Sequence, residues 1–265
     1  MPIVHVRYEP AKSHFVTWQV TIGLDMKCAV VIGTYNEAEN IPSLLPDIMG
    51  LGDEYHAIVV DDNSPDGTGT LIEAMKGDHS RIHVIHRKSR LGYGTAYLEG
   101  FRAALSMGAD YVVQMDADYS HNPQDIPRLV EAAHAADLAI GSRYVRGGGT
   151  QGWPLRRRII SRCANLLARL LLRLPIRDFT GGFKCFPRST LESIDFTEVR
   201  SKGFGFLYEM NYICHRHGKR FTEVPILFVE RQAGQSKLSL RIILDAVKVL
   251  LALRLIARRV PRARR

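Results

Sequence analysis

The chain has 265 residues, of which 46% are hydrophobic, 24% are charged and 8% are aromatic. These are the proportions of an ordinary globular protein, and they exclude a disordered or collagen-like chain. The four cysteines lie far apart and form no C-x-x-C pair. This spacing argues against a disulfide scaffold or a cysteine zinc site and favours a reducing compartment.

The net charge of +9 is unevenly distributed along the chain. Residues 156–177 contain seven arginines and no acid, and residues 241–265 contain eight basic residues and one acid. Both segments also carry apolar residues at helical spacing, which favours an anionic membrane surface over a nucleic-acid groove. No stretch approaches the roughly 18 apolar residues that span a bilayer. The sequence therefore predicts a protein that lies on a membrane, with no transmembrane helix and no nucleic-acid partner.

The first half of the chain alternates short apolar runs with helical patterns. Residues 1–25 show no periodicity and are predicted to be an N-terminal extension. The predicted strands are 28–32, 56–60, 81–85, 111–115 and 138–140. The predicted helices are 40–49, 68–76 capped by Thr68, 95–107, and one that begins with Asn122 as N-cap and Pro123 at its first position. This alternation is typical of an α/β fold with a mostly parallel sheet flanked by helices.

The second half departs from this alternation. Residues 156–174 are predicted to form one amphipathic helix, followed by a helix near 206–215 and a strand over 222–229. A polar loop over 231–236 leads into a basic amphipathic terminal helix over 239–265. The apolar stripe of the first helix suits either ordinary core or a membrane face, and its flanking arginines favour the membrane.

Three predicted strands end in polar clusters, at 34–37, at 61–67 and at Asp116-Ala117-Asp118. Ligands of open α/β sheets bind beyond the carboxyl ends of the strands, so these clusters should converge on one crevice. The two carboxylates of the third cluster lie on the same side of the pleat. Such hard oxygen ligands suit Mg²⁺ or Mn²⁺ bridging a diphosphate. In the second cluster, Asp66 is equally well explained as a helix N-cap.

The motifs are specific when taken together. V-V-I-G-T-Y-N-E, V-V-D-D-N-S-P-D-G-T, M-D-A-D-Y-S-H and G-S-R-Y occur in the order seen in family 2 inverting glycosyltransferases of the GT-A fold. Further motifs are G-W-P at 152–154, the segment from Arg157 to Ser161, D-F-T-G-G-F at 178–183 and R-x-x-G-x-S-K at 231–237. With these, residues 28–238 resemble the polyprenol (dolichyl) phosphate mannosyltransferases.

The resemblance implies a GT-A (Rossmann-like) catalytic domain over 26–238. It implies transfer of mannose from GDP-mannose to a polyprenyl (dolichyl) phosphate with inversion, which gives polyprenyl β-D-mannosyl phosphate and GDP. It also implies a divalent metal, Mg²⁺ or Mn²⁺, and a peripheral location on the cytoplasmic face of a membrane. Whether a separate membrane subunit is a partner stays open.

The resemblance further implies roles for individual residues. The donor is expected to contact Gly33, Tyr35, Glu37, Val60, Asp62, Asp116, Ala117, Asp118, Arg143, Arg231 and Lys237. Of these, Asp118, Arg143, Arg231 and Lys237 are expected to be catalytic, and Arg157 and Ser161 to hold the acceptor phosphate. The expected metal ligands are Asp116 and Asp118, with Ser120 as a candidate third ligand at a position where some relatives have Gln. At Gly33 the family often has Pro.

Alternatives remain at this point. A phosphate acceptor is already anionic and needs no general base, whereas an alcohol acceptor would need one, for which Asp118 or Glu209 is the candidate. The donor could also be UDP-glucose, which would make the chain a polyprenol-phosphate glucosyltransferase. A non-catalytic nucleotide-sugar-binding subunit is a third interpretation, and the intact acidic strand ends argue against it.

Overall fold

The computed structural model of the chain describes residues 26–230 and 240–259. The strands are β1 (Cys28–Thr34), β2 (Tyr55–Asp61), β3 (Ile82–His86), β4 (Tyr111–Asp116), β5 (Leu138–Ser142), β6 (Gly149–Gln151), β7 (Lys184–Pro187), β8 (Phe221–Pro225) and β9 (Leu227–Val229). The helices are α1 (Ile41–Met49), α2 (Thr68–Asp78), α3 (Tyr93–Ser106), α4 (Ile126–His134), α5 (Leu155–Leu172), α6 (Arg188–Glu192), α7 (Gly205–Arg216) and α8 (Leu240–Arg259). The predicted N-terminal extension and the polar loop over 231–236 lie outside the described residues.

The main sheet has seven strands in the order β3-β2-β1-β4-β7-β5-β8. β1 pairs in parallel with β2 and with β4, and β5 pairs in parallel with β8. β7 runs antiparallel between β4 and β5. The predicted mostly parallel sheet is thus confirmed. β6 and β9 pair in parallel as a separate ribbon.

Helices cover both faces of the main sheet. Along β1, Cys28, Val30 and Ile32 join a core with α1, α2 and α4, whereas Ala29 and Val31 join a core with α3, α5, α6, α7 and α8. This division follows from the two-residue period of a strand, which turns alternate side chains to opposite faces. A continuous apolar run such as C-A-V-V-I is therefore what a strand buried on both faces requires.

Three local expectations are wrong. The region 222–229 is two strands, because the chain leaves the main sheet at Pro225 and Leu227–Val229 pair with β6 instead. Gly67, in the left-handed region at φ 87°, occupies the N-cap of α2 in place of Thr68. The short elements β6, β7 and α6 were not predicted. Asp66 precedes this N-cap, and its carboxylate accepts hydrogen bonds from the backbone N–H groups of Thr68 (3.0 Å) and Ala38 (3.1 Å).

The two basic helices lie side by side at one edge of the molecule, in contact with each other. α5 buries only Asn165, Ala168 and Leu172, so most of its apolar stripe is exposed. In α8 the side chains of Leu250 and Leu253 are buried in the core with α7. Among the described residues, none of the helices combines the length and apolarity needed to cross a membrane.

The face of α8 that the sequence assigns to lipid is therefore partly core. Ala246 and Val249 pack against the same core cluster as the two buried leucines. Among the side chains of α8 that the structure describes, the exposed leucines are Leu251 and Leu255. The reason is that the helical spacing marks an apolar stripe but does not say whether protein or lipid covers it.

Candidate active site

The polar strand ends come together as expected. In the sheet register Gly33 lies beside Val60 of β2 and beside Asp116 of β4, and Thr34 lies beside Asp61. The Thr34 hydroxyl donates to the Asp61 carboxylate (3.1 Å), which also accepts from the Ser64 hydroxyl (2.5 Å). The three clusters therefore form one continuous polar edge.

A cavity of about 540 Å³, which we call the strand-end cavity, opens at this edge. Gly33, Tyr35 and Asp62 line it, as do the loop 201–205 and the α8 residues Asp245, Lys248 and Val249. The guanidinium of Arg90 lies over the Tyr35 ring at 4.4 Å from the centroid. A Cβ atom on Gly33 would meet only ordinary contacts at 3.6 Å or more, so the backbone leaves space beside this residue.

Asp62 is fixed within the strand-end cavity by a buried arginine. Nη1 of Arg87 donates to Oδ1 of Asp62 at 2.5 Å, and Nη2 donates to the Thr95 hydroxyl at 2.6 Å. Three other expected donor residues, Glu37, Val60 and Ala117, line neither this cavity nor the one between α5, α7 and α8. Glu37 accepts from the Asn40 side-chain amide (2.8 Å), and Val60 is fully buried within β2.

A second cavity, also of about 540 Å³, lies between α5, α7 and α8, and we call it the helix cavity. Asp116, Asp118 and Arg143 line its polar end. Many of the other lining side chains are apolar, among them Ile159, Ile160, Ala164, Leu167, Leu207, Ala246, Val247 and Leu250. Tyr93 and Phe204 line both cavities, so the two spaces adjoin at these rings.

The Asp116 carboxylate is held asymmetrically. Its Oδ1 accepts hydrogen bonds from the phenols of Tyr93 (3.0 Å) and Tyr97 (3.2 Å). Within the described part of the chain, no group donates to Oδ2. Burial raises the pKa of both phenols well above the ordinary value, so they stay protonated donors at neutral pH. One oxygen of this carboxylate is thus hydrogen-bonded by phenols, whereas the other accepts no hydrogen bond from the described residues.

The turn after β4 brings the second carboxylate into place. Oδ1 of Asp118 accepts from the backbone N–H of Ser120 at 3.1 Å, while Tyr119 adopts φ 56° in the left-handed region. Nδ1 of His121 accepts from the Asp116 N–H at 3.2 Å, and burial lowers the pKa of this imidazole, which keeps it neutral. Ser120 itself is buried and lines neither cavity.

Arg143 is locked at the edge of the helix cavity. Its Nε and Nη2 donate to the two oxygens of Asp178 at 2.7 and 2.6 Å, and Nη2 also donates to the Thr180 hydroxyl at 2.6 Å. Although burial opposes it, the adjacent guanidinium holds the pKa of Asp178 below its usual range. The pair is therefore ionised and fixed in direction.

The two residues expected to hold the acceptor phosphate both line the helix cavity. The guanidinium of Arg157 lies 4.0 Å from the centroid of the Trp153 ring, and its Nη1 pairs with the Glu230 carboxylate. Ser161 accepts a hydrogen bond from the Tyr144 phenol at 2.7 Å. Arg231 and Lys237, the other expected catalytic cations, lie outside the described residues.

Comparison with known proteins identifies the family. The family described as Glycosyl transferase family 2 matches residues 29–195. The undecaprenyl-phosphate mannosyltransferase of Micrococcus luteus is 44% identical over 222 residues, which cover 84% of this chain and 91% of that protein. The polyprenol monophosphomannose synthase of Mycolicibacterium smegmatis is 44% identical over 221 residues, 83% of each chain. The chain belongs to glycosyl transferase family 2.

Solved structures show the same fold as this family 2 glycosyltransferase. Glucosyl-3-phosphoglycerate synthase from Mycobacterium tuberculosis, in complex with Mn²⁺, UDP and glucosyl-3-phosphoglycerate, matches with a TM-score of 0.59 at 20% identity. That match covers 86% of this chain and 80% of the synthase. The mannosyltransferase PcManGT from Pyrobaculum calidifontis, in complex with GDP-Man and Mn²⁺, matches with a TM-score of 0.55 at 20% identity, over 90% and 66% of the chains. The fold is GT-A.

The carboxylates of this family 2 chain fit a divalent cation. The described residues contain no cluster of three or more His, Cys, Asp or Glu side chains able to enclose a metal. Asp116 and Asp118 instead offer two hard oxygen ligands at the polar end of the helix cavity. Such a partial set suits a cation that completes its coordination with the phosphates of a bound substrate. Ser120 contributes its N–H to Asp118 and does not share the cavity with the two carboxylates.

Several residues of the site escape sequence reasoning. Tyr93 precedes the helix predicted from residue 95, and aromatic residues at this spacing resemble ordinary core. Asp178 and Gly182 lie in a motif that the sequence analysis used, but only the structure shows what they contact. Glu209, considered as a base for an alcohol acceptor, accepts from the N–H groups of Arg200 (3.1 Å) and Ser201 (2.7 Å) and so anchors the wall of the strand-end cavity.

Proposed function

We propose that this glycosyltransferase transfers mannose from GDP-mannose to the phosphate of a membrane polyprenol (dolichol), with inversion, giving polyprenyl β-D-mannosyl phosphate and GDP. The observation that carries the proposal is the helix cavity, which joins an apolar channel to the carboxylates at the strand ends. A nucleotide sugar alone needs no such channel, whereas a polyprenyl phosphate has one apolar and one anionic end. The names of the two 44% identical relatives point to the same acceptor class and to mannose.

The arrangement of the two cavities suits an inverting displacement. The donor occupies the strand-end cavity, where Tyr35 and Asp62 meet its nucleoside and Arg90 and Lys202 supply positive charge. The acceptor phosphate enters from the helix cavity, on the other side of Tyr93 and Phe204. Attack from the side opposite the leaving diphosphate inverts the anomeric carbon.

Charge stabilisation is the main task of the protein in this reaction, because negative charge develops on the departing GDP. Asp116 and Asp118 would hold Mg²⁺ or Mn²⁺, which neutralises the diphosphate when bound. Arg143 supplies positive charge at a fixed position at the edge of the site, and Arg157 holds the acceptor phosphate. Arg231 and Lys237 stay predictions for closure over the diphosphate. A phosphate nucleophile is already anionic, so no side chain has to remove a proton.

The membrane is the proposed site of action, and the protein is peripheral there. On α5, Leu155, Ile159, Leu166 and Leu170 are exposed beside the exposed arginines Arg156, Arg158, Arg162 and Arg169. This mixture of apolar and cationic side chains suits an anionic lipid surface and adjoins the helix cavity. The four cysteines, all described, are unpaired, in keeping with the cytoplasmic face. A membrane subunit could share this surface.

The decisive experiment compares two donors. The full-length protein is incubated with Mg²⁺ or Mn²⁺, a short polyprenyl phosphate, and radiolabelled GDP-mannose or UDP-glucose in parallel. We expect lipid-extractable label from GDP-mannose alone, in a form cleaved by mild acid with β stereochemistry. Label from UDP-glucose alone would make the chain a glucosyltransferase, and label from neither would reject the acceptor.

The matched control for this experiment is a pair of Asp→Asn variants. Asp118→Asn keeps the oxygen that caps Ser120 but loses the charge, and we expect at least a hundredfold lower kcat. Asp195 makes the same kind of turn, accepting from the Thr197 N–H at 2.9 Å, in a part of the chain remote from both cavities. Asp195→Asn should keep wild-type activity.

A further inference from the structure

Tyr93 occupies the junction between the two cavities. As the first residue of α3 it lines both of them. Its ring stacks on Phe204 at 4.8 Å between centroids and meets Tyr97 edge-on at 4.7 Å. A ring held on two sides in this way fixes the position of its phenol oxygen. That oxygen is therefore preorganised toward its polar neighbours.

The hydrogen bonds of this phenol have a defined direction. Nε2 of Gln114 donates to the Tyr93 oxygen at 3.2 Å, which leaves the phenol proton for Oδ1 of Asp116 at 3.0 Å. Tyr97 approaches the same carboxylate oxygen at 3.2 Å, but its hydroxyl lies closer to the Met115 carbonyl, at 2.8 Å. Tyr93 is therefore the principal side-chain donor to Asp116 among the described residues.

The backbone at Gly182 makes room for this pair. A Cβ atom at that position would lie 2.7 Å from the Tyr93 phenol oxygen and 3.2 Å from Oδ2 of Asp116. Any side chain at residue 182 would therefore displace the phenol from the carboxylate. The packing of the Tyr93 phenol against the Asp116 carboxylate therefore requires glycine at residue 182.

We infer that Tyr93 is a positioning residue for the metal ligand Asp116: it engages Oδ1 and thereby presents Oδ2 to the divalent cation. The inference rests on the metal-dependent transfer proposed above and adds to it a residue that holds the ligand. A hydrogen bond to one oxygen restricts rotation of the carboxylate, and the other oxygen of Asp116 accepts no hydrogen bond from the described residues. Groups that hydrogen-bond a metal ligand in this manner typically change metal affinity by about 10–100-fold.

The test measures metal affinity directly. Tyr93→Phe removes the hydroxyl and keeps the ring that separates the cavities. Binding of Mn²⁺ is followed by the electron paramagnetic resonance signal of the free ion, at saturating GDP. We expect the Kd for Mn²⁺ to rise about tenfold or more in Tyr93→Phe. In assays with GDP-mannose, kcat at saturating Mn²⁺ should stay within a few-fold of wild type.

The matched control removes a phenol from the other end of β4. The Tyr111 hydroxyl lies 2.7 Å from Nδ1 of His134, remote from both cavities, and Tyr111→Phe should bind Mn²⁺ like the wild type. If Tyr93→Phe does not fold, Gly182→Ala tests the same contact by pushing the phenol away, and it should also weaken Mn²⁺ binding.

The outcomes separate this inference from the proposed function. A wild-type protein that binds no Mn²⁺ in the presence of GDP would reject the metal requirement itself. A wild type that binds Mn²⁺ with an unchanged Kd in Tyr93→Phe, or with an equal loss in Tyr111→Phe, would reject the positioning role alone. A loss of kcat that saturating Mn²⁺ does not restore would also contradict it, because it would place Tyr93 in the transfer step.

Discussion

Two arginines face the helix cavity, and they differ in how many donors they have left for a ligand. Arg143 commits Nε and Nη2 to Asp178 and Thr180, within a fully buried pair. Arg157 pairs with Glu230 through Nη1 and otherwise rests on the face of Trp153. A guanidinium carries five N–H donors, so Arg157 retains several for an incoming anion. Arg157 is therefore better suited than Arg143 to grip the acceptor phosphate.

We predict that Arg157→Ala raises the KM for polyprenyl phosphate tenfold or more and changes the KM for the nucleotide sugar less than twofold. The reason is the loss of charge-assisted hydrogen bonds, each contributing about 1.5–3 kcal/mol. Steady-state kinetics with each substrate varied in turn measures both constants. The control is Arg158→Ala, which removes the exposed arginine next along α5. Equal changes in both KM values would place Arg157 on the donor side or make it structural.

The sequence predicts those site residues whose residue type itself indicates a chemical role. Asp116, Asp118 and Asp62 were predicted because carboxylates follow buried strands, and all three line the cavities. It could not find Tyr93 or Arg87, because each acts through a contact between residues distant in the chain. Ser120 stays a prediction as a third ligand, and the turn at Tyr119 directs its backbone N–H toward Asp118.

At the scale of elements, a buried lysine ties the sheet to the helix that walls both cavities. Lys184 of β7 donates to the Leu207 carbonyl (3.2 Å) and to Oδ1 of Asn211 (2.8 Å), both on α7. Burial lowers the pKa of Lys184 to about 8, against small opposing effects of Cys214 and Asp178. A neutral amine still has the two N–H groups that these acceptors need, so the link survives deprotonation.

This lysine makes stability depend on pH in a defined window. Below about pH 8 it is protonated in both the folded and the unfolded chain and contributes no slope. Between about pH 8 and 10.4 the unfolded chain keeps a proton on this lysine that the folded chain has lost, so the contribution of Lys184 to the free energy of unfolding rises with pH, by about 3 kcal/mol. We predict that urea unfolding of Lys184→Met lacks this rise. The exposed Lys76→Met variant should keep it, and an identical slope in all three proteins would contradict the buried titration.

The terminal helix α8 is a structural part of the catalytic unit, since it walls both cavities. Leu253 is 4% exposed, whereas Leu255, two residues further on, is 57% exposed. We predict that Leu253→Ala lowers the free energy of unfolding by about 2–5 kcal/mol, because it leaves a cavity in the core. Leu255→Ala should change it by no more than about 0.5 kcal/mol. Similar small losses in both variants would mean that α8 packs on the core only weakly.

The fold itself was largely predictable as far as residue 142, since most strands there are apolar runs and most helices carry an apolar stripe. The sequence did not predict the elements whose strand pairing depends on partners far away in the chain. β7 is a four-residue strand whose pairing depends on β4 and β5 on either side of it. The strand over 222–229 divides because Pro225 ends the pairing with β5 and Leu227 begins the pairing with β6. Such partners are far away in sequence and leave no local pattern.

At the scale of the whole molecule, the sheet separates two surfaces of different character. The helices α1, α2 and α4 close one face over a continuous core, and on the other face α5 and α8 border the helix cavity. α5 exposes leucines and arginines together and buries only a narrow strip. An acceptor with a long apolar chain would have to enter from this edge, where the cavity is bordered by exposed apolar side chains.

We predict that the double variant Leu166→Ser/Leu170→Ser binds anionic liposomes at least about thirtyfold more weakly than the wild type. The two leucines are 58% and 64% exposed, and burying such side chains in lipid contributes at least about 2 kcal/mol together. Flotation with vesicles of anionic and of zwitterionic lipid measures the partition, and added salt should weaken wild-type binding because the α5 arginines meet headgroup charge.

Activity on a short, water-soluble polyprenyl phosphate should be unchanged, since neither residue lines a cavity. Leu91→Ser, which alters a leucine 53% exposed outside α5 and α8, should float like the wild type. Undiminished flotation of the double variant would place the membrane-contacting surface on another part of the molecule.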